Sequence, residues 1–475
     1  MAEDSEVLPE STGIGKYRDK VIDGPIIRTI FWLGTPPLVN QLVVVAYNVA
    51  DTYWLSEYSE IARAREITVA VPRQMWPILM LFQALANALT AASLSIISQY
   101  VGSKAYKEAS LSASRFFTLS LLFGGALSML LLTLRNSIFT VIVSTPTEIF
   151  EDVMKYSGVI SFDVFFNYIA LTYTTVLQSV GDTKRPAIVN VAAVAINIAL
   201  DPFLVLGIGP FPRLGVIGAA LTDVMGKIVS ILALTYILRK YYPELRIKPT
   251  KEINTAWARL VLRIGLPILT LGLTNGFAFL MQLRLVNMLG IVTATAFSIG
   301  FVITDIVDAA LWGLSGAPAI MIGQSLGADN QKGAREVAFK ATLLIFTLMI
   351  VSAVIIYPIR RNIVGVFADN QDILNETDTF LQIMLPTLPF FGLFAVALSV
   401  GRGSGHTVFP TGLGMLRLWG IRIALGYCMA FILNMGSIGV WLAIAISNII
   451  GGIIAILWIK YGNWAKAVIK ENTIM

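Results

Sequence analysis

Apolar residues in this chain fall in long blocks broken by short polar stretches. A helix that crosses a bilayer needs about 20 mostly apolar residues. Twelve blocks reach that length: 29–57, 67–101, 116–134, 156–178, 187–209, 214–238, 257–285, 291–326, 336–358, 376–401, 409–434 and 437–461. They predict an all-α integral membrane protein with twelve transmembrane helices. The second and eighth blocks exceed what a bilayer needs, so those helices are expected to tilt or to project beyond it.

The polar stretches carry a bias. Lys and Arg gather in the amino-terminal stretch, in the loops after even-numbered blocks and in the carboxyl-terminal tail. The positive-inside rule then places both termini on the cytoplasmic side. The loop 239–259 is the longest link on that side and is rich in basic residues, which makes it the expected hinge between two halves.

The halves repeat. Leu33-Gly34-Thr35-Pro36 returns as Ile264-Gly265-Leu266-Pro267, and Gln99-Tyr100-Val101-Gly102 as Gln324-Ser325-Leu326-Gly327. Gly181 and Pro186 return as Gly405 and Pro410, and Gly215-Val216-Ile217-Gly218 as Gly436-Ser437-Ile438-Gly439. Each match is short, but four in order at a near-constant offset define a repeat. With six helices each, both halves enter the membrane from the same side, so the repeat is parallel, about an axis along the membrane normal. The expected order is a cytoplasmic tail 1–27, a six-helix lobe 28–238, a cytoplasmic linker 239–256, a six-helix lobe 257–461 and a cytoplasmic tail 462–475. A central cavity between two such lobes belongs to alternating-access transporters.

Composition narrows the class. Hydrophobic residues make up 56% and charged residues 13%, against about 25% charged in soluble domains; the mean hydropathy is +0.75. A water-soluble chain of 475 residues cannot cover its surface with so few charges. The net charge of +6 sits mostly in loops and reads as membrane orientation rather than as a nucleic-acid footprint. The single cysteine, Cys428, and the single histidine, His406, exclude a disulfide framework and Cys- or His-cluster metal sites. The first 27 residues have no apolar core, so no cleavable signal is expected. The sequence contains no Walker A, nucleophile-elbow or HExxH pattern, which speaks against an enzyme and against ATP-driven transport.

Charge inside lipid costs a few kcal/mol or more, so each ionisable residue within a block asks for a reason. Asp51 lies late in the first helix, with Tyr47 four residues earlier and Asn48 three, all on one face. A phenol and an amide beside a carboxylate complete a small cation's shell or stabilise a protonated acid. The plainer reading is an acid near the helix end, wetted by the outer loop. Asp201 has Asn197 one turn earlier, and Pro202 after it frees the carbonyl of Ile198. Together these make a cation or proton site, or else a kinked helix with a locally bonded acid. Asp163 and Asn167, one turn apart on the fourth helix, either line the same cavity or make a structural contact. Asp223 and Lys227, one turn apart on the sixth, read as an internal ion pair or place Asp223 in the cation site. In the second half the repeat sets Arg422 opposite Asn197, Gly426 opposite Asp201 and Gln282 opposite Asp51, so the acidic site is not duplicated. Asp305 and Asp308 on the eighth helix either bind cationic substrate or pair with Arg417 or Arg422. His406, beside Gly405, reads as a turn residue.

Taken together these residues resemble the multidrug and toxic compound extrusion (MATE) family. The carrying segments are Tyr47-Asn48-Val49-Ala50-Asp51-Thr52, Gly181-Asp182-Thr183-Lys184-Arg185-Pro186, Asn197-Ile198-Ala199-Leu200-Asp201-Pro202 and Gly323-Gln324-Ser325-Leu326-Gly327-Ala328-Asp329. The resemblance spans about residues 26–461. It implies export of small organic cations by antiport with protons or sodium, with no cofactor beyond the coupling ion. It assigns the amino-terminal-lobe acids to Asp51 and Asp201, the helix-5 amide to Asn197 and the aromatic before the first acid to Tyr47. Sodium as the coupling ion would sit at Asp51, Asp201 and Asn197. Two positions depart from the family pattern. Val180 stands where many members carry an acid. Asp223 stands where many carry Thr, with Thr222 one residue earlier, and an extra acid there bears on ion choice or ion number. The expected setting is a monomer in the plasma membrane, with the lipid bilayer and a small organic cation as partners. The alternative is a lipid-linked saccharide flippase of a related fold, which should prefer a basic cavity for pyrophosphate; Arg73, Arg417 and Arg422 together would furnish one.

Overall fold

The computed structural model describes residues 13–57, 62–367 and 370–471, with the side chains of all these except 48–53, 56–57, 62–69, 73, 306 and 471. Among the described residues the regular structure is helical throughout. The long helices are α1 Ile26–Glu57, α2 Ala62–Gly102, α3 Tyr106–Ile142, α4 Thr147–Ser179, α5 Lys184–Leu206, α6 Val216–Tyr241, α7 Thr255–Asn287, α8 Ile291–Gly327, α9 Gln331–Val364, α10 Gln371–Ser404, α11 Val408–Ile432 and α12 Gly436–Tyr461. Eleven are long and apolar enough to cross a membrane, and α8, bent by 40° between Asp305 and Val307, makes the twelfth.

Most helices outrun their apolar blocks. The block at 116 begins a helix that starts at Tyr106, and the block at 156 one that starts at Thr147. Lipid demands apolar side chains only across the hydrocarbon, while the backbone hydrogen bonds continue through polar ends. At 41 and 37 residues α2 and α8 are long as expected, but α3 also reaches 37, α9 and α10 reach 34, and α4 and α7 reach 33.

The chain packs as two units, residues 13–20 with 39–258, and 21–38 with 259–471. In the first, α4 lies against α2, α3 and α6, while α5 lies against α6. In the second, α10 lies against α8, α9 and α12, while α11 lies against α12. Adding six to each helix number of the first unit gives the second, which is the sequence repeat in three dimensions. The central helix α10 is the most enclosed, with 78% of its most apolar window buried, against 17% for α3 and 22% for α9. The last two present their apolar residues outward, as helices facing lipid do.

Helix α1 contributes to both units. Pro36 and Pro37 lack the N–H that would hold the preceding turn, and the division falls directly after them, at Leu38. The stretch before it packs on α8 through glycines. A Cβ on Gly313 would stand 2.5 Å from the Cα of Leu38, and one on Gly34 would stand 3.3 Å from the Cα of Leu314. Small residues let two helix backbones approach this closely.

The linker after α6 is the segment whose length and charge suggest a hinge. It is bonded along α3 as an extended strap. Ser110, Ser114 and Thr118 recur every four residues on one face of α3. Ser110 Oγ accepts from the Arg246 N–H at 3.2 Å, Ser114 Oγ donates to the Arg246 carbonyl at 3.1 Å, and Thr118 Oγ1 accepts from the Thr250 N–H at 2.9 Å. Arg115 Nε donates to the Glu252 carbonyl at 2.5 Å, and its guanidinium lies 5.4 Å from the centre of the Trp257 ring. At the start of the strap, Asp182 accepts from the Tyr242 hydroxyl at 2.7 Å and pairs with Arg185 at 2.5 Å. Burial, and then Asp182 beside it, push the Tyr242 phenol above the ordinary tyrosine range, so it stays a donor. This cluster accounts for the Gly181-to-Pro186 segment, in which Gly181 takes the left-handed backbone, φ 92°, that a side chain disfavours.

Candidate functional site

A cavity of about 290 Å³ opens among α1, α4, α5 and α6, wholly within the first unit. Polar residues reach it at helical spacing. Asn40, Val44 and Tyr47 line it from α1, Asn190 and Asn197 from α5, and Asp223, Lys227 and Ser230 from α6, with Asn167 on α4. An i, i+4, i+7 series of this kind keeps one helix face turned to one place. It is also the signal by which Asn40, Asn190 and Ser230 are legible in the sequence, once single polar residues in apolar blocks are given weight.

The Tyr47 hydroxyl donates to Asp223 Oδ1 at 2.6 Å, across from α1 to α6. Asn197 stands beside them in one of two amide orientations. One sets Nδ2 3.5 Å from Asp223 Oδ1 and turns the amide oxygen against two carbonyl acceptors. The other donates to the Ala193 and Thr222 carbonyls at 3.1 and 2.8 Å and turns the oxygen toward Asp223. The second is favoured, because it replaces two acceptor–acceptor contacts with hydrogen bonds and gives up one long bond. The amide sits there because α6 has Gly226 opposite: a Cβ at that position would stand 2.3 Å from Asn197 Oδ1.

Asp201 lies behind this cluster, outside the cavity lining, with a fully buried side chain. Thr222 Oγ1 donates to its Oδ1 at 2.7 Å, and Oδ2 has no hydrogen-bond partner in the protein. The α5–α6 crossing makes this possible. A Cβ on Gly218 would stand 2.4 Å from the Leu204 carbonyl oxygen, so glycine there lets Thr222 reach the acid. Thr222 was readable only as a displaced family threonine; its bond to Asp201 is a tertiary fact.

The structure therefore brings Tyr47, Asn197 and Asp223 together, with Asn167 in the same lining and Asp201 behind. Asp223 and Lys227 both line the cavity, and the tyrosine contact holds Asp223 there. Asp163 is on α4 outside the lining; its Oδ1 has no hydrogen-bond partner, and Lys227 is its charged neighbour. Asp305 and Asp308 belong to the second unit, Asp305 exposed and Asp308 half-buried. The side chains of Asn48, Asp51 and Arg73 lie outside the described residues.

Two six-helix units of one design, spans long enough for a bilayer and a polar pocket inside one unit, lined by Asp223, Lys227 and asparagines, define a polytopic membrane transporter. The MatE family model matches residues 36–203 and 267–428, most of both repeats, and the chain belongs to the MATE family of transporters. It is similar to YoeA of Bacillus subtilis, a probable multidrug resistance protein, 25% identical over 381 residues that cover 78% of this chain and 81% of the relative. It is also similar to an FAD transporter of Shewanella oneidensis, at 23% identity with 92% and 95% covered. A crystal structure of a MATE protein in a bent conformation matches the fold with a TM-score of 0.84 at 21% identity, covering 93% of this chain and 96% of that one.

Proposed function

We propose that this protein is a secondary active antiporter that exports small organic cations in exchange for protons or sodium. The observation that carries the reading is the oxygen cluster of the first unit. With Asn197 in its favoured orientation, its amide oxygen faces Asp223 Oδ1 at 3.5 Å, beside the Tyr47 hydroxyl and in front of buried Asp201. Oxygens that face each other call for a proton or a cation between them. Sodium takes such oxygens as ligands, and a proton on a carboxyl group lets the same pair hydrogen-bond. Cationic cargo and coupling ion compete for this one negative site, so binding of either displaces the other. A two-state alternation of access, biased by the differential affinity of each ligand for the two states, is enough to couple them. The coupling ion is the only cofactor, the working unit is the monomer, and the protein lies in the plasma membrane with both termini on the cytoplasmic side.

The flippase alternative is not favoured: it calls for a basic cavity, and the cavity of the first unit sets Asp223 beside Lys227 among asparagines. The relatives' names span multidrug resistance and FAD transport, so the cargo must be read from this chain's own residues. The test is reconstitution in liposomes loaded with a fluorescent organic cation, with a proton or a sodium gradient imposed separately. Movement driven by one gradient identifies the ion, and Asp201→Asn is expected to abolish that movement in folded protein. Wild-type export by Asp201→Asn, or no movement under either gradient, defeats the reading.

A further inference from the structure

The second unit contains a charged cluster of opposite sign. Arg417 and Arg422 lie in a π-helical stretch of α11, Leu416–Ile423. Residues five apart on an α-helix point about 140° away from each other. In a π turn, whose hydrogen bonds run from i to i+5, they stack. The π geometry thus brings both guanidinium groups to one place. Arg417 Nη1 and Arg422 Nη2 donate to the same oxygen, Asn448 Oδ1, at 3.0 and 3.3 Å, and Arg422 Nε donates to Ser447 Oγ at 3.4 Å. Asn448 is itself fixed by a 3.3 Å bond to Thr387 at the break in α10.

Arg417 is 6% exposed, and its buried Nε has no hydrogen-bond partner. Its guanidinium lies 4.9 and 4.6 Å from the ring centres of Phe391 and Phe394. Room for the side chain comes from Gly451, where a Cβ would stand 2.8 Å from Arg417 Cδ. The expected partners, Asp305 and Asp308, do not close on the arginines. Among the described residues Asp308 is the acid whose charge reaches both, but it forms no ion pair with either, and its Oδ1 has no partner. One amide oxygen shared by two guanidinium groups, with Asp308 near but unbonded, leaves both without a direct ion pair among the described residues, at a place where charge is costly. The donors that remain on a planar guanidinium match the oxygens of a carboxylate or phosphate in pairs.

We propose that Arg417 and Arg422 form a binding site for the anionic group, carboxylate or phosphate, of a small-molecule cargo. The range of the protein then extends beyond simple cations to molecules that carry an acidic group. That the ligand is cargo rests on the transporter reading; that it binds does not.

The test uses the full chain in phosphatidylcholine nanodiscs, titrated by flavin fluorescence with riboflavin and with riboflavin 5′-phosphate, which differ by one phosphate. The phosphate form should bind at least about tenfold more tightly. Arg422→Gln should remove that preference, and Arg422→Lys should keep part of it, since the charge remains and the planar fork is lost. Equal affinity of the two flavins for wild-type protein overturns the proposal without any variant, as does failure of the phosphate form to bind. Equal weakening of both flavins by Arg422→Gln also overturns it, because the arginine then serves packing alone. Discs containing phosphatidylglycerol separate the sources of anion: a lipid headgroup as the natural ligand would abolish flavin-phosphate binding there and overturn the assignment to soluble cargo. Gradient-driven cation movement, measured on the same preparations, reports on the antiport reading separately, so either idea can fail while the other stands.

Discussion

The two units share a frame and differ in what they hang on it. Gly218 and Gly439 are repeat equivalents, and each lets the last helix of its unit cross the one before it at backbone distance. A Cβ would meet the Leu204 carbonyl oxygen at 2.4 Å in the first unit and the Ala430 nitrogen at 2.7 Å in the second. On that common crossing, the first unit carries Asn197, Asp201 and Asp223, and the second carries Arg422 at the place of Asn197 and Asn448 at the place of Lys227. Duplication preserved the glycines, because the crossing admits no Cβ. It left polarity free, because these positions hold side chains where the crossing leaves room for them. A repeat can thus be read for packing in both halves, while chemistry has to be read in each half alone.

The largest expected effect tests the acidic side of this comparison. Asp201→Asn should bring gradient-driven cation export down to the level of protein-free liposomes, with the fold retained by size-exclusion and thermal-melt criteria. Glycine substitutions come next, and they split by what the glycine faces. Gly218→Val and Gly439→Val meet backbone, which cannot give way, so both should lose folded, monodisperse protein in membrane extracts. Gly226→Val instead meets the Asn197 amide, a side chain that can move. It should fold, and export should fall about tenfold, in line with about 1.5 kcal/mol for one hydrogen-bonded charge contact. If all three behave alike, crossing and site are not separable. A smaller change is expected for Tyr47→Phe, which removes the 2.6 Å bond to Asp223. The concentration of coupling ion for half-maximal exchange should shift by several-fold, and an unshifted value would take Tyr47 out of the site.

Much of this was legible in the sequence, and the rest was hidden for identifiable reasons. The spans showed because lipid requires unbroken apolar stretches, whereas their ends did not, because Tyr106 and Thr147 start helices in polar surroundings that hydropathy ignores. The strap is hidden because length and basic residues speak only for a link between halves; the hydroxyls at Ser110, Ser114 and Thr118, one every helical turn, are the sign that it is bonded along α3. Asn197 and Asp201 stood out as polar residues one turn apart. Asn40 and Thr222 did not, since a lone amide or hydroxyl in an apolar block satisfies itself locally as often as it serves a site. The arginine pair was least visible of all. At α-helical spacing Arg417 and Arg422 point to different sides, and only the π turn aligns them.

The smallest effect separates two other features that the units share. In each, an arginine of the third helix lies over a tryptophan that comes after the sixth helix in the chain. Arg115 lies 5.4 Å from the Trp257 ring in the first unit, and Arg335 lies 5.4 Å from the Trp464 ring in the second. Their surroundings differ. Arg115 is 7% exposed and donates to the Glu252 carbonyl at 2.5 Å, while exposed Arg335 donates to the Lys460 and Gly462 carbonyls at 3.3 and 3.0 Å. A cation over a ring contributes about 0.5–1 kcal/mol in water and about 2 when desolvated, and a buried donor that is lost leaves its acceptor unsatisfied. Arg115→Ala is therefore expected to destabilise the protein by about 2–3 kcal/mol, and Arg335→Ala by about 1 or less. Thermal unfolding in detergent should rank them in that order. Equal losses would mean that ring geometry, the same in both units, sets the strength of the contact and that burial does not.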